Sequence, residues 1–166
     1  MTEGLQYVLD ADVFMTAARS YYAFDVAPAF WSGLVREASN GRLLSVDRVK
    51  GEIQRGKDEL VEWANRTFHR WFVATDEADV IAAYQEIMSW VQGQSQFFDY
   101  AKDEFARGAD GWLIAYAKVK GLTVVSNEKF EPNIRGKVKI PNVCRAFNIP
   151  YVNTFEMLRA LGIKLG

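Results

Sequence analysis

Short apolar runs that end in acids constrain this chain more than any other feature. Tyr7-Val8-Leu9 leads straight into Asp10, Ala11 and Asp12, and Thr123-Val124-Val125-Ser126 leads into Asn127 and Glu128. Glu52 lies in a helical segment after the run Leu43 to Val46, and Asp110 opens a helical pattern. Runs this short, separated by stretches of helical periodicity, read as strands joined through helices. That is the grammar of an α/β fold with a mainly parallel sheet.

Along the chain, Leu5 to Leu9 reads as a first strand, and Asp12 to Ala18 as a helical turn with Asp12 as its acidic cap. Pro28 to Asn40 carries Phe30, Trp31, Leu34, Val35 and Ala38 at helical spacing, and Gly41 ends it. Leu43 to Val46 is the second strand, and Asp47 is positioned to cap a helix bearing Val49, Glu52 and Ile53. A helical middle section over about 58–107 contains Glu59 to Arg66, Asp76 to Val91 and Phe97 to Ala106, broken at Gly93-Gln94-Ser95-Gln96. Asp110 to Lys120 is a helix closed by Gly121, which feeds a third strand, Thr123 to Ser126. Pro141 to Phe147, a short strand Pro150 to Val152, and a terminal helix capped by Thr154 and ending near Gly162 complete one domain over 1–166.

In parallel sheets, ligands bind outside the carboxyl ends of the strands. Asp10 and Glu128 follow strands directly, and Glu52 sits early in the helix after one. Asp110 heads a helix whose far end feeds the next strand, so it starts at the same edge. Topology therefore brings four acids to one side of the sheet. Two carboxylates about 4 Å apart repel by about 4 kcal/mol at an effective dielectric of about 20, so such a pocket needs protons or cations. Hard divalent ions are the ordinary answer at neutral pH. Mg2+ or Mn2+ suits a few carboxylates with water and substrate phosphate completing the shell, which points to phosphodiester chemistry.

Composition narrows the alternatives. With 166 residues, 49% hydrophobic and 25% charged, the chain can bury a real core and has no disordered character. Its first residues lack the basic and apolar stretches of a signal peptide, and no apolar run approaches the roughly 20 residues of a membrane span. A cytoplasmic, membrane-free protein is expected. One cysteine, Cys144, excludes an internal disulfide and a multi-cysteine zinc site, and one histidine, His69, leaves no histidine-rich metal site. His69, among Arg66, Phe68, Arg70 and Trp71, reads as a surface or packing residue. The net charge of −1 is not the footprint of a general nucleic-acid binder. Positive charge is nevertheless densest beside two of the acids: Arg48, Lys50, Arg55 and Lys57 surround Glu52, and Lys129, Arg135, Lys137 and Lys139 follow Glu128. Trp63, Trp71, Phe72, Trp90, Phe97, Phe98 and Tyr100 in the middle section read as core and helix-packing residues, with any surplus forming an interface.

The segments Leu9-Asp10-Ala11-Asp12-Val13-Phe14, Ala109-Asp110-Gly111-Trp112-Leu113-Ile114-Ala115 and Val125-Ser126-Asn127-Glu128-Lys129-Phe130, with a glutamate in the helix after strand two, resemble the motifs of PIN-domain nucleases over essentially the whole chain. Ile140-Pro141-Asn142-Val143-Cys144 resembles an uncharacterised, toxin-like PIN subfamily. Asp12 stands where that family more often has Asn, Ser or Thr, and Glu128 where Asp is commoner. The resemblance implies a PIN-like α/β/α sandwich and a metal-dependent endoribonuclease of the toxin–antitoxin type. Asp10, Glu52 and Asp110 would be metal ligands and catalytic residues, with Glu128 as the variable fourth. Asp12 would orient Asp10 or a bound water, Ser126 and Asn127 would bond phosphate, and Arg48, Lys50 and Lys129 would steer the RNA. Expected partners are RNA, an antitoxin protein whose tail covers the site, and a second copy of the chain. Two other readings stay open. One is a PIN-like module without catalysis that binds RNA or protein. The other, a haloacid-dehalogenase-type phosphatase, shares the strand followed by Asp10-Ala11-Asp12 but has no aspartate after Asp110 for its later magnesium site.

Overall fold

The computed structural model describes residues 6–165. The elements run β1 (Tyr7–Leu9), α1 (Ala11–Thr16), α2 (Pro28–Ser39), β2 (Leu43–Val46), α3 (Asp47–Ile53), α4 (Glu59–Arg66), β3 (Phe72–Val73), α5 (Ala78–Gln92), α6 (Asp99–Arg107), α7 (Asp110–Lys120), β4 (Thr123–Val125), α8 (Ile140–Ala146), β5 (Tyr151–Val152) and α9 (Thr154–Leu161). A π-helical turn, Ala17–Tyr21, extends α1, and a 3-10 turn, His69–Trp71, precedes β3. Leu5, expected in the first strand, lies outside the described residues.

The sheet order is β3-β2-β1-β4-β5. Every pairing is parallel, with Val8 opposite both Leu44 and Val124, and Val125 opposite Val152. Helices cover both faces, so the strands carry continuous apolar runs and not alternation: all four residues of β2 are buried. Beneath the β1 end, Phe14 meets the rings of Trp63, Phe68 and Phe72 at 5.9, 5.6 and 5.7 Å, edge-on or tilted. Trp31 joins this cluster through Trp63, and its Nε1 donates to the Tyr22 carbonyl at 2.6 Å. On the other side, α5 lies along α7. Gly111 permits that approach, because a Cβ there would stand 3.0 Å from the Tyr84 ring.

Several expectations change. The middle section is not purely helical: Phe72–Val73 pairs with Ser45 and Val46 and adds an edge strand. Two residues are too few to show a period. The cap of α1 is Asp10, whose Oδ1 accepts from Ala11 N at 2.7 Å, and Asp12 lies inside the first turn. Asp47 is likewise inside α3. Its carboxylate turns to Thr75, accepting from Oγ1 at 2.8 Å and N at 3.3 Å, which ties α3 to the chain after β3. The last helix is capped by Asn153 with Glu156 in a reciprocal capping box, and Thr154 is its first residue. Gly121 closes α7 in the left-handed conformation, as its position suggests.

Candidate functional site

The order β3-β2-β1-β4-β5 reverses direction between β1 and β4. At such a switch point the following helices leave toward opposite faces and open a crevice at the strands' carboxyl ends. Asp10 ends β1 and Ser126 ends β4 across that crevice, joined by Asp10 N to the Val125 carbonyl at 2.9 Å. A cleft of about 420 Å³ opens here, lined by Asp10, Asp12, Glu52, Asp110 and Glu128. β1 and its cap deliver Asp10, α3 delivers Glu52, the first turn of α7 delivers Asp110, and the loop after β4 delivers Glu128.

Each acid is held differently. The Ser126 hydroxyl lies 3.1 Å from Asp10 Oδ2 and 3.4 Å from Asp12 Oδ2, and its single proton is shared between them. Its oxygen also accepts from Glu128 N at 3.2 Å. Asp12 further accepts from Asn127 N at 3.0 Å. Glu52 Oε2 accepts from Ala109 N at 3.0 Å, fixing α3 against the start of α7. Glu128 is clamped between Ile140 N at 2.9 Å and Lys137 Nζ at 3.0 Å.

The electrostatics are those of crowded anions. Burial, followed by the charges of Asp110, Asp12 and Glu128, raises the Asp10 carboxyl well above the usual carboxylate range. Burial and the neighbouring Glu128 and Glu52 push Asp110 up to about 7. Asp12 is also raised by burial, against the opposing pull of its hydrogen bonds. Burial alone would lower Lys137, but its bond to Glu128 and the charges of Asp110 and Asp10 raise it above the ordinary ammonium value.

A family model described as a domain of unknown function (DUF4411) matches residues 7–165. The chain belongs to the DUF4411 family. Comparison with curated proteins found no match. Among solved structures it is similar to a chain of VapBC2 from Rickettsia felis, determined bound to a DNA fragment from their promoter. The two share 15% identity with a TM-score of 0.57, over 90% of this chain and 98% of that one. This likeness shows the fold: the DUF4411 chain is a PIN-like α/β sandwich.

Of the residues singled out in the sequence, Asp10, Asp12, Glu52, Asp110 and Glu128 share the cleft. Ser126 and Asn127 stand at its edge with their polar groups turned inward to protein. The Asn127 carboxamide oxygen accepts from Thr154 N and Oγ1 at 3.2 and 2.8 Å. Arg48 lines a smaller pocket next door, Lys129 lines an apolar pocket beyond α1, and Lys50 does not line the cleft. Of the charged cleft residues, Glu104 was not singled out and Lys137 was named only among the cations that follow Glu128. Lys137 is nine positions from Glu128 across an irregular loop, and Glu104 lies on the exposed side of an amphipathic helix. Neither carries a motif, and only the fold brings them to the cleft that holds Asp110.

Among the described residues no three acidic, histidine or cysteine side chains converge tightly enough to ligate one ion together. The donors still fit magnesium or manganese. They are all hard oxygens, they face a cleft roomy enough for water, and the raised Asp10 and Asp110 record repulsion that a divalent cation relieves. Mg2+ is ordinarily held by one or two carboxylates with water completing its octahedron, not by a closed protein cage.

Proposed function

We propose that this protein is a metal-dependent endoribonuclease acting as the toxin of a toxin–antitoxin pair. The observation that carries the reading is the meeting of Asp10 and Asp110 with Glu52 and Glu128 in one cleft, where burial and mutual repulsion push the two aspartates upward. Asp10, Glu52 and Asp110 would hold one or two Mg2+ or Mn2+ ions directly or through water, with Glu128 tuning the second position. When bound, such an ion supplies Lewis acidity and a water of lowered pKa at the scissile phosphate. The protein's own contribution is positioning. The Ser126 hydroxyl holds Asp10 and Asp12 in register, and the Ala109 amide fixes Glu52. Lys137 offsets negative charge at the rim, where a polyanion enters.

The likeness to a VapBC2 chain supports the toxin assignment and, with it, an antitoxin partner. Exposed Phe98 and Tyr100, stacked at 5.6 Å on the helical middle section, offer apolar surface to that partner or to a second copy. The RNA it would act on is cytoplasmic; among the described residues no helix is long and apolar enough to cross a membrane.

The test is cleavage of a mixed pool of structured and unstructured RNAs with Mg2+, Mn2+ or chelator, comparing the native chain with Asp10→Asn. Cutting that needs metal and disappears in the variant supports the reading. A folded, metal-supplied protein that cuts nothing overturns it in favour of a binding module.

A further inference from the structure

A second, smaller pocket of about 230 Å³ shares Glu52 and Gly108 with the acidic cleft and is lined by Arg48, Arg55 and Arg107. Three arginines reach this pocket from two directions, against two carboxylates of its lining, Asp47 and Glu52, on a chain whose net charge is −1. Arg48 comes from the first turn of α3, Arg55 from just beyond its end, and Arg107 from the last residue of α6. We propose that this pocket binds a backbone phosphate of the nucleic-acid strand, adjacent to the phosphate cut in the cleft. The proposal rests on the nuclease reading for the identity of the strand.

Three observations carry it. First, the arginine charge is largely not spent on internal ion pairs. Among the described residues neither Arg55 nor Arg107 has a carboxylate partner, and Arg48 reaches Asp47 only at 4.0 Å. Asp47 also accepts from Thr75 and Glu52 from the Ala109 amide, so both carboxylates of the lining are tied to the protein and three arginines stand against two acids. Second, Arg48 is preorganised. Its guanidinium lies 4.3 Å over the Trp112 ring, and Trp112 is stacked on Tyr84 at 3.8 Å with 7° between the planes. An arginine fixed in this way loses little rotamer freedom on binding, and its planar fork matches phosphate oxygens. Third, the pocket adjoins the cleft through Glu52. Glu52 lines both, so a strand lying along it would span the acidic cleft and the arginine pocket together.

The experiment measures binding apart from cleavage. Fluorescence anisotropy of a labelled single-stranded RNA is followed over a range of salt, using the Asp10→Asn chain alone and with Arg55→Ala/Arg107→Ala or Arg55→Lys/Arg107→Lys added. Circular dichroism checks that each variant is folded. Losing one phosphate contact makes the plot of log affinity against log salt shallower by about 0.7 for a single strand. The alanine pair is expected to show that change, and the lysine pair, which keeps the charge, to retain most of the slope. An unchanged slope in the alanine pair overturns the pocket even where the native chain cuts RNA. A reduced slope with no cutting by the native chain upholds the pocket and removes the nuclease reading instead. RNA binding untouched by the alanine pair, with polyglutamate binding abolished, overturns the proposal in favour of an acidic protein partner.

Discussion

Two regions meet at α1 and obey opposite rules. On one side, Asp12 and Met15 face the acidic cleft, and on the other Phe14 anchors a cluster of rings. The ring cluster is what the hydrophobic effect favours: Phe14, Phe30 and Phe68 are fully buried, and each ring contact adds to the burial. The cleft gathers like charges in a partly dry crevice, which opposes folding. The difference teaches that a six-residue helix with one exacting polar face holds its place because its other face is over-determined by aromatic packing. Apolar packing is concentrated on one side of α1 and the acidic cleft lies on the other.

The sharpest way to break this contrast is to change charge in the cleft. Asp10→Asn and Asp110→Asn are each expected to lower RNA cleavage by about 10³-fold or more, equivalent to roughly 4 kcal/mol of lost transition-state stabilisation. Asparagine caps helices as well as aspartate does, so α1 keeps its start in Asp10→Asn. The urea midpoint of the metal-free chain should stay level or rise. A variant that unfolds by circular dichroism would show that the cleft holds the fold together after all.

The complementary change is Phe68→Ala, which removes a ring touching Phe14, Trp63 and Phe72. It is expected to cost about 3–5 kcal/mol in equilibrium denaturation. A loss under about 1 kcal/mol would show that the cluster collapses around the void and is not the anchor.

A gentler probe is pH. Asp110 is raised from an ordinary carboxyl value to about 7, so the folded chain binds more protons than the unfolded one between those values. The stability this group contributes is fully present below about pH 4, where both states are protonated. It is lost as pH rises to about 7 and beyond. Urea midpoints of the metal-free protein should therefore fall from pH 5 to pH 8, and Asp110→Asn should flatten that slope. Added Mg2+ should stabilise more at pH 8 than at pH 5, because metal and protons compete for the same oxygens.

The smallest expected effect belongs to Ser126→Ala. It removes a hydroxyl shared by Asp10 and Asp12 and costs about 1 kcal/mol of stability, read from denaturant melts. A neutral result would mean that Asp12, held by Asn127 N, needs no help from the serine.

The strands β1, β2, β4 and β5 were legible within a residue or two, because buried parallel strands carry unbroken apolar runs between helical patterns. β3 was not, since Phe72 and Val73 become a strand only by pairing with Ser45 and Val46. Helix caps were misplaced at Asp12, Asp47 and Thr154 for a related reason. Sequence offers two cap-competent residues close together at the first and last of these sites, Asp10 and Asp12, and Asn153 and Thr154. The choice between them depends on which backbone leaves the strand in extended geometry. The five acids were legible as residues at junctions, whereas Glu104, the seat of Lys137 in the cleft and the pairing of Arg55 with Arg107 were not. Those residues sit in irregular segments or on the solvent side of α6, where the apolar pattern says nothing about them, and their roles exist only where α6, α3 and the loop after β4 converge.

By itself the sequence determined the alternation of strands and helices, the core residues within them and the acids at their junctions, because these follow from local periodicity and the chemistry of single side chains. The tertiary structure alone decided the strand order, and with it the switch point between β1 and β4. It also decided which carboxylates are close enough to repel and which cations answer them. Those are relations between distant segments, such as Ser126 and Asp10, 116 residues apart, and no local pattern encodes them.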